Sequence, residues 1–356
     1  MKKNFLLITL LGFLSCSNPK KNVDENGIYY TTATESEERI RDLGLFEPSE
    51  DSSTILNFPK LNFSVSETSE LKPTIKGDPN KDFIIELKFE NGHTFRKKDL
   101  EELFDKNWRI TFTAAEIYGY SANDKQWTYA LSGDKSEEYK QVEIAINLLE
   151  VFNDENPSFD AKKLQNYVNE LNRKLTTLND KVNIKYIETF DQAIEKSKKL
   201  VALNRRFNKE LIISLKSKSQ FDGKKAWDAL LCVGLKWGDG DLFHWRKNND
   251  EPYFSVWTST TPGYFLPEQI KSGEMNPSDL NFGYSILTSR DPMNIYKAML
   301  KAAKYCKSRL GGEILNAEGK PLNETENYRK IVNLIEEMNI EGIKPGTESA
   351  MRIYTF

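Results

Sequence analysis

Cys16 has the most legible chemistry in this chain of 356 residues. Lys2 and Lys3 precede an apolar run from Phe5 to Leu14, which ends at Ser15-Cys16. A basic start, a short apolar stretch and a small residue at the cleavage point are the layout of a secretory signal peptide. A cysteine directly after that point is the acceptor for diacylation in a bacterial lipoprotein, with Phe13 a relaxed form of the usual pattern. The expectation is cleavage before Cys16 and a lipid anchor on its thiol. A plain signal peptide with an incidental cysteine is the alternative. The run is too short to cross a bilayer as a helix, which takes roughly 20 apolar residues.

Other reactive groupings are weaker. Asp239, Asp241 and His244 lie close together in "WGDGDLFHW". A calcium loop needs more oxygen ligands in register and a distal bidentate Glu, so the segment reads as a turn between two strands. Two His and three Cys leave little material for zinc or imidazole catalysis. No Ser or Cys with a nearby His presents a nucleophile, and neither His has the company that a catalyst needs. No glycine-rich phosphate loop follows a strand. The reading is a non-enzymatic protein without a cofactor. Fifty basic against 53 acidic residues give a net charge of -3, which excludes a protein held mainly by phosphate backbones. The basic cluster "LNRRFNK" reads as a solvated turn.

Trp237, Trp245, Tyr253, Trp257, Tyr264 and Phe265 crowd one stretch. Aromatic residues in short strands are mostly core, but alternation puts some on the opposite face, and Trp257 and Tyr264 are the candidates for ligand contact. His244 alternates with Leu242 on one strand face. Cys232 and Cys306 fall on apolar helix stripes, where buried thiols are the default. Export leaves a disulfide between them open if the helices adjoin.

The elements that position these residues follow one plan twice. A signal peptide (1–16) and an acidic tether (17–82), with thirteen acidic against eight basic residues, precede two similar units, 83–206 and 207–342, and a tail, 343–356. The tether reads as flexible, although "LGLF" and "ILNFPKLNFSV" are apolar enough to dock locally. "DFIIELKFENGHTF" lies over "ELIISLKSKSQF", with Phe95 on Phe221. In each unit a strand, a helix and short aromatic strands are followed by helix, strand and helix. These are expected at 160–175, 182–187 and 191–203 in the first unit, and at 292–310, 313–316 and 324–338 in the second. Asp291-Pro292 starts a helix and Gly311-Gly312 stops it, and Asn323 with Glu326 resembles a capping box. Strands in groups rather than alternating with helices give an α+β class: two tandem domains, each a mostly antiparallel sheet with helices on one face.

The second unit is similar to a known family. "FDGKKAWDALLCVGLKWGDGDLFHW", "YFSVWTSTTPGYF" and "NIYKAMLKAAKYCKSRLGGEILNAEGKPLNETENYRKIVNLIEE", in that order, resemble the C-terminal FtsZ-binding domain of the division protein ZipA over about residues 210 to 340. The first unit lacks the Gly-Asp, Phe-His and Pro-Gly elements and reads as a diverged duplicate. The resemblance implies that the free sheet face forms a shallow apolar groove for the amphipathic tail of FtsZ. Its groove positions fall on Ser214, Gly240, Leu242, Ser259 and Ser285. Only Leu242 keeps a large apolar side chain there, and each large-to-Ser replacement forfeits on the order of 1 to 3 kcal/mol of burial. The expected protein is therefore an exported, lipid-anchored envelope protein that binds a protein or peptide, with a role in division. An unrelated peptide, glycan or lipid without FtsZ is the alternative.

Overall fold

The computed structural model describes residues 33–50, 75–111, 115–132, 137–151, 161–178, 180–246 and 252–355. Cys16 and the segment "ILNFPKLNFSV" lie outside them. A first helix, α1 (Ala33–Asp42), precedes the first sheet. That half comprises β1 (Asp82–Phe89), β2 (Phe95–Arg96), α2 (Lys97–Leu103), α3 (Lys106–Thr111), β3 (Ala115–Ser121), β4 (Trp127–Tyr129), β5 (Glu138–Asn147), α4 (Ala161–Leu175), β6 (Val182–Tyr186) and α5 (Phe190–Phe207). The second half comprises β7 (Glu210–Lys216), α6 (Gly223–Cys232), β8 (Lys236–Gly238), β9 (Leu242–Trp245), β10 (Phe254–Trp257), α7 (Pro267–Ser272), β11 (Asp279–Ser285), α8 (Pro292–Leu310), β12 (Glu313–Leu315), α9 (Glu324–Ile340) and α10 (Glu348–Met351).

Strand periodicity builds both cores. Phe83, Ile85, Leu87 and Phe89 alternate inward along β1, where Leu164, Val168, Leu171 and Leu175 of α4 are spaced three and four apart to join them. Ile213 and Leu215 of β7 and Leu280, Phe282 and Tyr284 of β11 do the same beneath α6 and α8. Local signals place the helix ends. Asn294 N–H bonds the Asp291 side chain at 3.2 Å, and Glu326 N–H bonds that of Asn323 at 3.1 Å. A full capping box of Thr189 and Gln192 starts α5.

All strand pairs among the described residues are antiparallel, in line with the α+β reading. The strand order is β4-β3-β5-β1-β6 in the first sheet, with β2 on β5, and β12-β7-β11-β10-β9-β8 in the second. The triplets β6-β1-β5 and β12-β7-β11 correspond, and Phe95 and Phe221 are both buried. The meanders differ. In the first half the chain enters at the inner strand β3 and then makes the outer β4, whereas in the second it enters at the outer β8 and works inward to β10. The two halves therefore share three strands and the helices that cross them, and not the aromatic meander.

Two segments set outside the folded units by composition are part of them. Residues 33–50 run along the second half: Ile40 and Leu45 are buried in its core, and the Trp227 indole N–H donates to the Leu45 carbonyl at 2.8 Å. The apolar "LGLF" pins down a segment whose average polarity suggests a tether. The tail also folds, but on the other half. Ile343, Ala350 and Ile353 are buried with the first core, alongside Ile286, Leu287 and Met338. The Asn204 amide donates to the Ile353 carbonyl at 2.8 Å, and Arg352 Nε donates to Asp78 at 2.6 Å. Cys232 and Cys306 are buried free thiols, not a disulfide. Burial pushes the Cys306 thiol up to about 12.

Candidate binding face

Helices cover one side of the second sheet, and the other side carries the positions expected to meet a ligand. Cross-strand register arranges them in rows. One row runs Leu315, Ser214, Asn281, Trp257 across β12, β7, β11 and β10. The next runs Ile212, Gly283, Ser255, His244, Lys236 across β7, β11, β10, β9 and β8. The expected positions Ser214, Trp257 and His244 therefore share one face, with Ser285 two residues beyond Gly283 on β11 and Ser259 just past the end of β10.

The centre of this face is polar and internally bonded. Ser214 Oγ donates to Asn281 Oδ1 at 2.6 Å, while the Asn281 amide donates to Ser259 Oγ and to Asp279 Oδ1, each at 3.2 Å. Asp279 Oδ1 also takes the Ser259 backbone N–H at 2.6 Å and the Thr258 hydroxyl at 3.2 Å. Asn281 and Asp279 are only 7% and 6% exposed, so the network satisfies itself and presents mainly its two serines. The Ser285 hydroxyl is buried without a hydrogen-bond partner among the described residues. Sequence reasoning missed Asn281 and Asp279. Their signal was present in "SDLNFGYS", where Asp, Asn and Gly alternate with Leu, Phe and Tyr.

Trp257 lies across the strand neighbouring its own. A Cβ at residue 283 would sit 2.5 Å from Trp257 Cη2 and 3.3 Å from Ile212 Cγ1, so only glycine there lets the indole fold down. The ring is half-buried and, with Ile212, gives the face its apolar strip. Leu242 is half-buried at the start of β9, beyond a 3-10 turn over Asp239–Asp241 in which Gly240 contributes no side chain. Tyr264 is half-buried after the Thr261-Pro262 cis bond, in the loop leading to α7. It is in no strand, so it does not belong to the ladder. The apolar contacts are thus separated and do not form a continuous groove.

His244 is not available to a ligand. It is 6% exposed, and its two ring nitrogens lie 2.7 Å from the Asp239 carbonyl and 2.8 Å from Ser255 Oγ. A carbonyl only accepts, so Nε2 carries the proton and Nδ1 accepts from Ser255. Burial holds the imidazole below its ordinary pKa. A histidine kept neutral binds fewer protons folded than unfolded, so stability rises with pH in the window below about 6.5. The expected result is a denaturation midpoint that falls as pH drops from 7 toward 5, with a smaller fall in His244→Gln. Equal slopes in the two proteins would remove His244 as the cause.

Asp239 and Asp241 serve the turn. Arg246 pairs with Asp239 at 2.8 Å, and Arg39 of α1 reaches Asp241 at 3.4 Å while gripping Glu268 with two bonds of 2.7 Å. Among the described residues no three His, Cys, Asp or Glu side chains are grouped to hold a metal. His93 has more company than its sequence neighbours suggest. Its Nδ1 lies 2.7 Å from Asp180, at the rim of a cleft in the first half. The two threonine hydroxyls of that cleft are committed elsewhere, Thr94 to Glu138 and Thr177 to the Lys174 carbonyl.

Residues 210–331 match the family described as "ZipA, C-terminal FtsZ-binding domain". Similar curated proteins include the cell division protein ZipA of Marinobacter nauticus, 30% identical over 125 residues, which are 33% of this chain and 36% of that protein. The cell division protein ZipA of Haemophilus ducreyi is 34% identical over 111 residues, 30% of this chain and 33% of that protein. The chain thus spans about a third of the length of the curated relatives it matches. The match takes in all six strands of the second sheet, and the second half of the chain carries a domain of the ZipA C-terminal family.

Proposed function

We propose that this chain is a non-enzymatic, lipid-anchored adaptor of the bacterial envelope, held by Cys16, that binds a protein or peptide of the division apparatus through the open face of its second sheet. The observation that carries this reading is the open face itself. It is a six-stranded antiparallel surface with helices on the other side, and it keeps Trp257, Ile212 and Leu242 as apolar contacts. The relatives' names as cell division proteins and the family's description as FtsZ-binding support the choice of partner. Burying a leucine contributes about 1.5 to 3 kcal/mol, so Leu242→Asp is expected to weaken an amphipathic FtsZ-tail peptide by at least tenfold in a calorimetric titration. An unchanged affinity would sink this reading.

The Ser214–Asn281–Asp279–Ser259 network favours a second reading, in which the exported face meets an unrelated peptide, glycan or lipid. FtsZ is cytoplasmic, and a chain anchored outside the cytoplasm does not meet it. Palmitate labelling of Cys16 with fractionation decides the partner: an exported, acylated chain keeps the anchor and removes FtsZ as the ligand, and a cytoplasmic, unlabelled chain removes the anchor and restores FtsZ.

A further inference from the structure

The first sheet also has an open face, and its composition differs from that of the second. Register places Tyr129, Tyr118, Glu143, Glu86 and Lys185 in one row across β4, β3, β5, β1 and β6. Trp127 and Tyr120 are paired in the adjacent row. The rings of Tyr118 and Tyr129 are 5.4 Å apart, and those of Tyr120 and Trp127 are 5.7 Å apart. Glu116 follows on the same face of β3. Aromatic rings present negative faces, and Glu143 and Glu86 stand side by side on the central strands, an arrangement of like charges that costs stability unless a cation offsets it.

The chain itself shows what this surface holds. Residues 75–78 cross the sheet, with the Gly77 N–H donating to Glu143 at 2.8 Å and Gly77 so close to Ala145 that a Cβ there would lie 2.7 Å from the Ala145 side chain. Lys76 then sets its ammonium 5.0 Å from the centre of the Trp127 ring and 3.4 Å from Glu143, which is wholly buried. An ammonium between an indole face and a carboxylate is the arrangement of a cation–π site. The neighbouring position repeats the chemistry without that lysine: the Tyr118–Tyr129 ring pair has Tyr129 45% exposed, and Glu116 stands beside Tyr118 in solvent. Described cations near it include Lys81 on the Glu116 side, Lys76 at Glu143 in the same row and Lys185 at the far end of the row.

We propose that the open face of the first sheet binds a basic peptide segment of a partner protein. A lysine or arginine lies across Tyr118 and Tyr129 beside Glu116, as Lys76 lies across Trp127 beside Glu143. The surface is distinct from the open face of the second sheet and carries its own chemistry: π faces and carboxylates in place of a serine–asparagine ladder.

The test titrates the full chain with a twelve-residue peptide of alternating Lys and Ser and with its Glu–Ser counterpart, following tryptophan fluorescence. The lysine peptide binds and the glutamate peptide does not. Tyr129→Ala and Glu116→Gln each weaken the lysine peptide by about three- to tenfold, the range of a partly exposed cation–π or charge contact. The remote Glu326→Gln leaves affinity unchanged. Lys76→Ala, which frees the adjoining Trp127–Glu143 position for a second lysine of the peptide, strengthens it. Equal affinity for both peptides overturns the proposal. So does equal affinity of wild type, Tyr129→Ala and Glu116→Gln with circular dichroism preserved, or an unchanged or weaker affinity in Lys76→Ala.

Discussion

A chain ending at Gly342 is expected to lose at least about 4 kcal/mol of stability, and to lose it in the first half. Ile343 and Ile353 are 4% and 1% exposed within the first core, and deleting a buried isoleucine costs roughly 2 to 5 kcal/mol. The truncation also removes the partners of Asn204 and Asn208, which bond Ile353 and Thr355, and the Arg352–Asp78 contact. Against a usual total of about 5 to 15 kcal/mol this is a large fraction. Hydrogen exchange locates the damage: β1 and β5 amides should lose protection before those of β7 and β11. The point variant Ile353→Asp should behave alike, because an unpaired carboxylate then replaces a core side chain. A truncated chain that keeps its urea midpoint would show that the tail is a passenger.

Trp227→Ala has the second largest expected effect, about 3 to 5 kcal/mol, on the other core. The ring is 1% exposed, stands edge-on to Phe243 at 4.7 Å and lies 5.8 Å from Trp237. Its N–H holds the Leu45 carbonyl, so the variant should also loosen residues 33–50 and speed tryptic cleavage at Arg39 and Arg41. Trp227→Phe separates the two roles. It keeps most of the ring packing and removes one hydrogen bond, worth about 1 kcal/mol. Equal losses in the two variants, with cleavage rates unchanged, would contradict this account of α1 and the segment after it.

The secondary structure of both halves was legible wherever a strong period met a strong boundary. The helix from Pro292 to Leu310 has an acceptor at Asp291, a proline in its first turn, a regular apolar stripe and a glycine stop, and its ends fall where these signals put them. The second sheet was legible by resemblance more than by pattern. "FSVW" and "LFHW" are four-residue strands, each too short for its alternation to stand out.

The misplaced segments fail for one reason. Composition averages over a window, whereas docking depends on two or three apolar side chains meeting a complementary surface. Ile40 and Leu45 are enough to fold a stretch dominated by Glu, Ser and Arg, and Ile343 and Ile353 suffice for the tail. His244 was misjudged because strand alternation gives the face and says nothing about what covers it. The polar ladder escaped because Ser214, Asn281 and Asp279 meet only once β7 and β11 are paired.

The return of the last residues to the first core sets an order for assembly. A chain emerging from the ribosome or a translocon delivers residues 82–207 early, yet that core lacks Ile343, Ala350 and Ile353 until the whole second half has been made. The first sheet must wait, partly formed, while the second half is made, and the contacts that close it join residues almost as far apart as Asp78 and Arg352. Such long-range closure slows folding. It also makes the segment up to Ile353 a checkpoint: a chain cut between Gly342 and Ile353 carries an incomplete core in its first half, where proteases can recognise it.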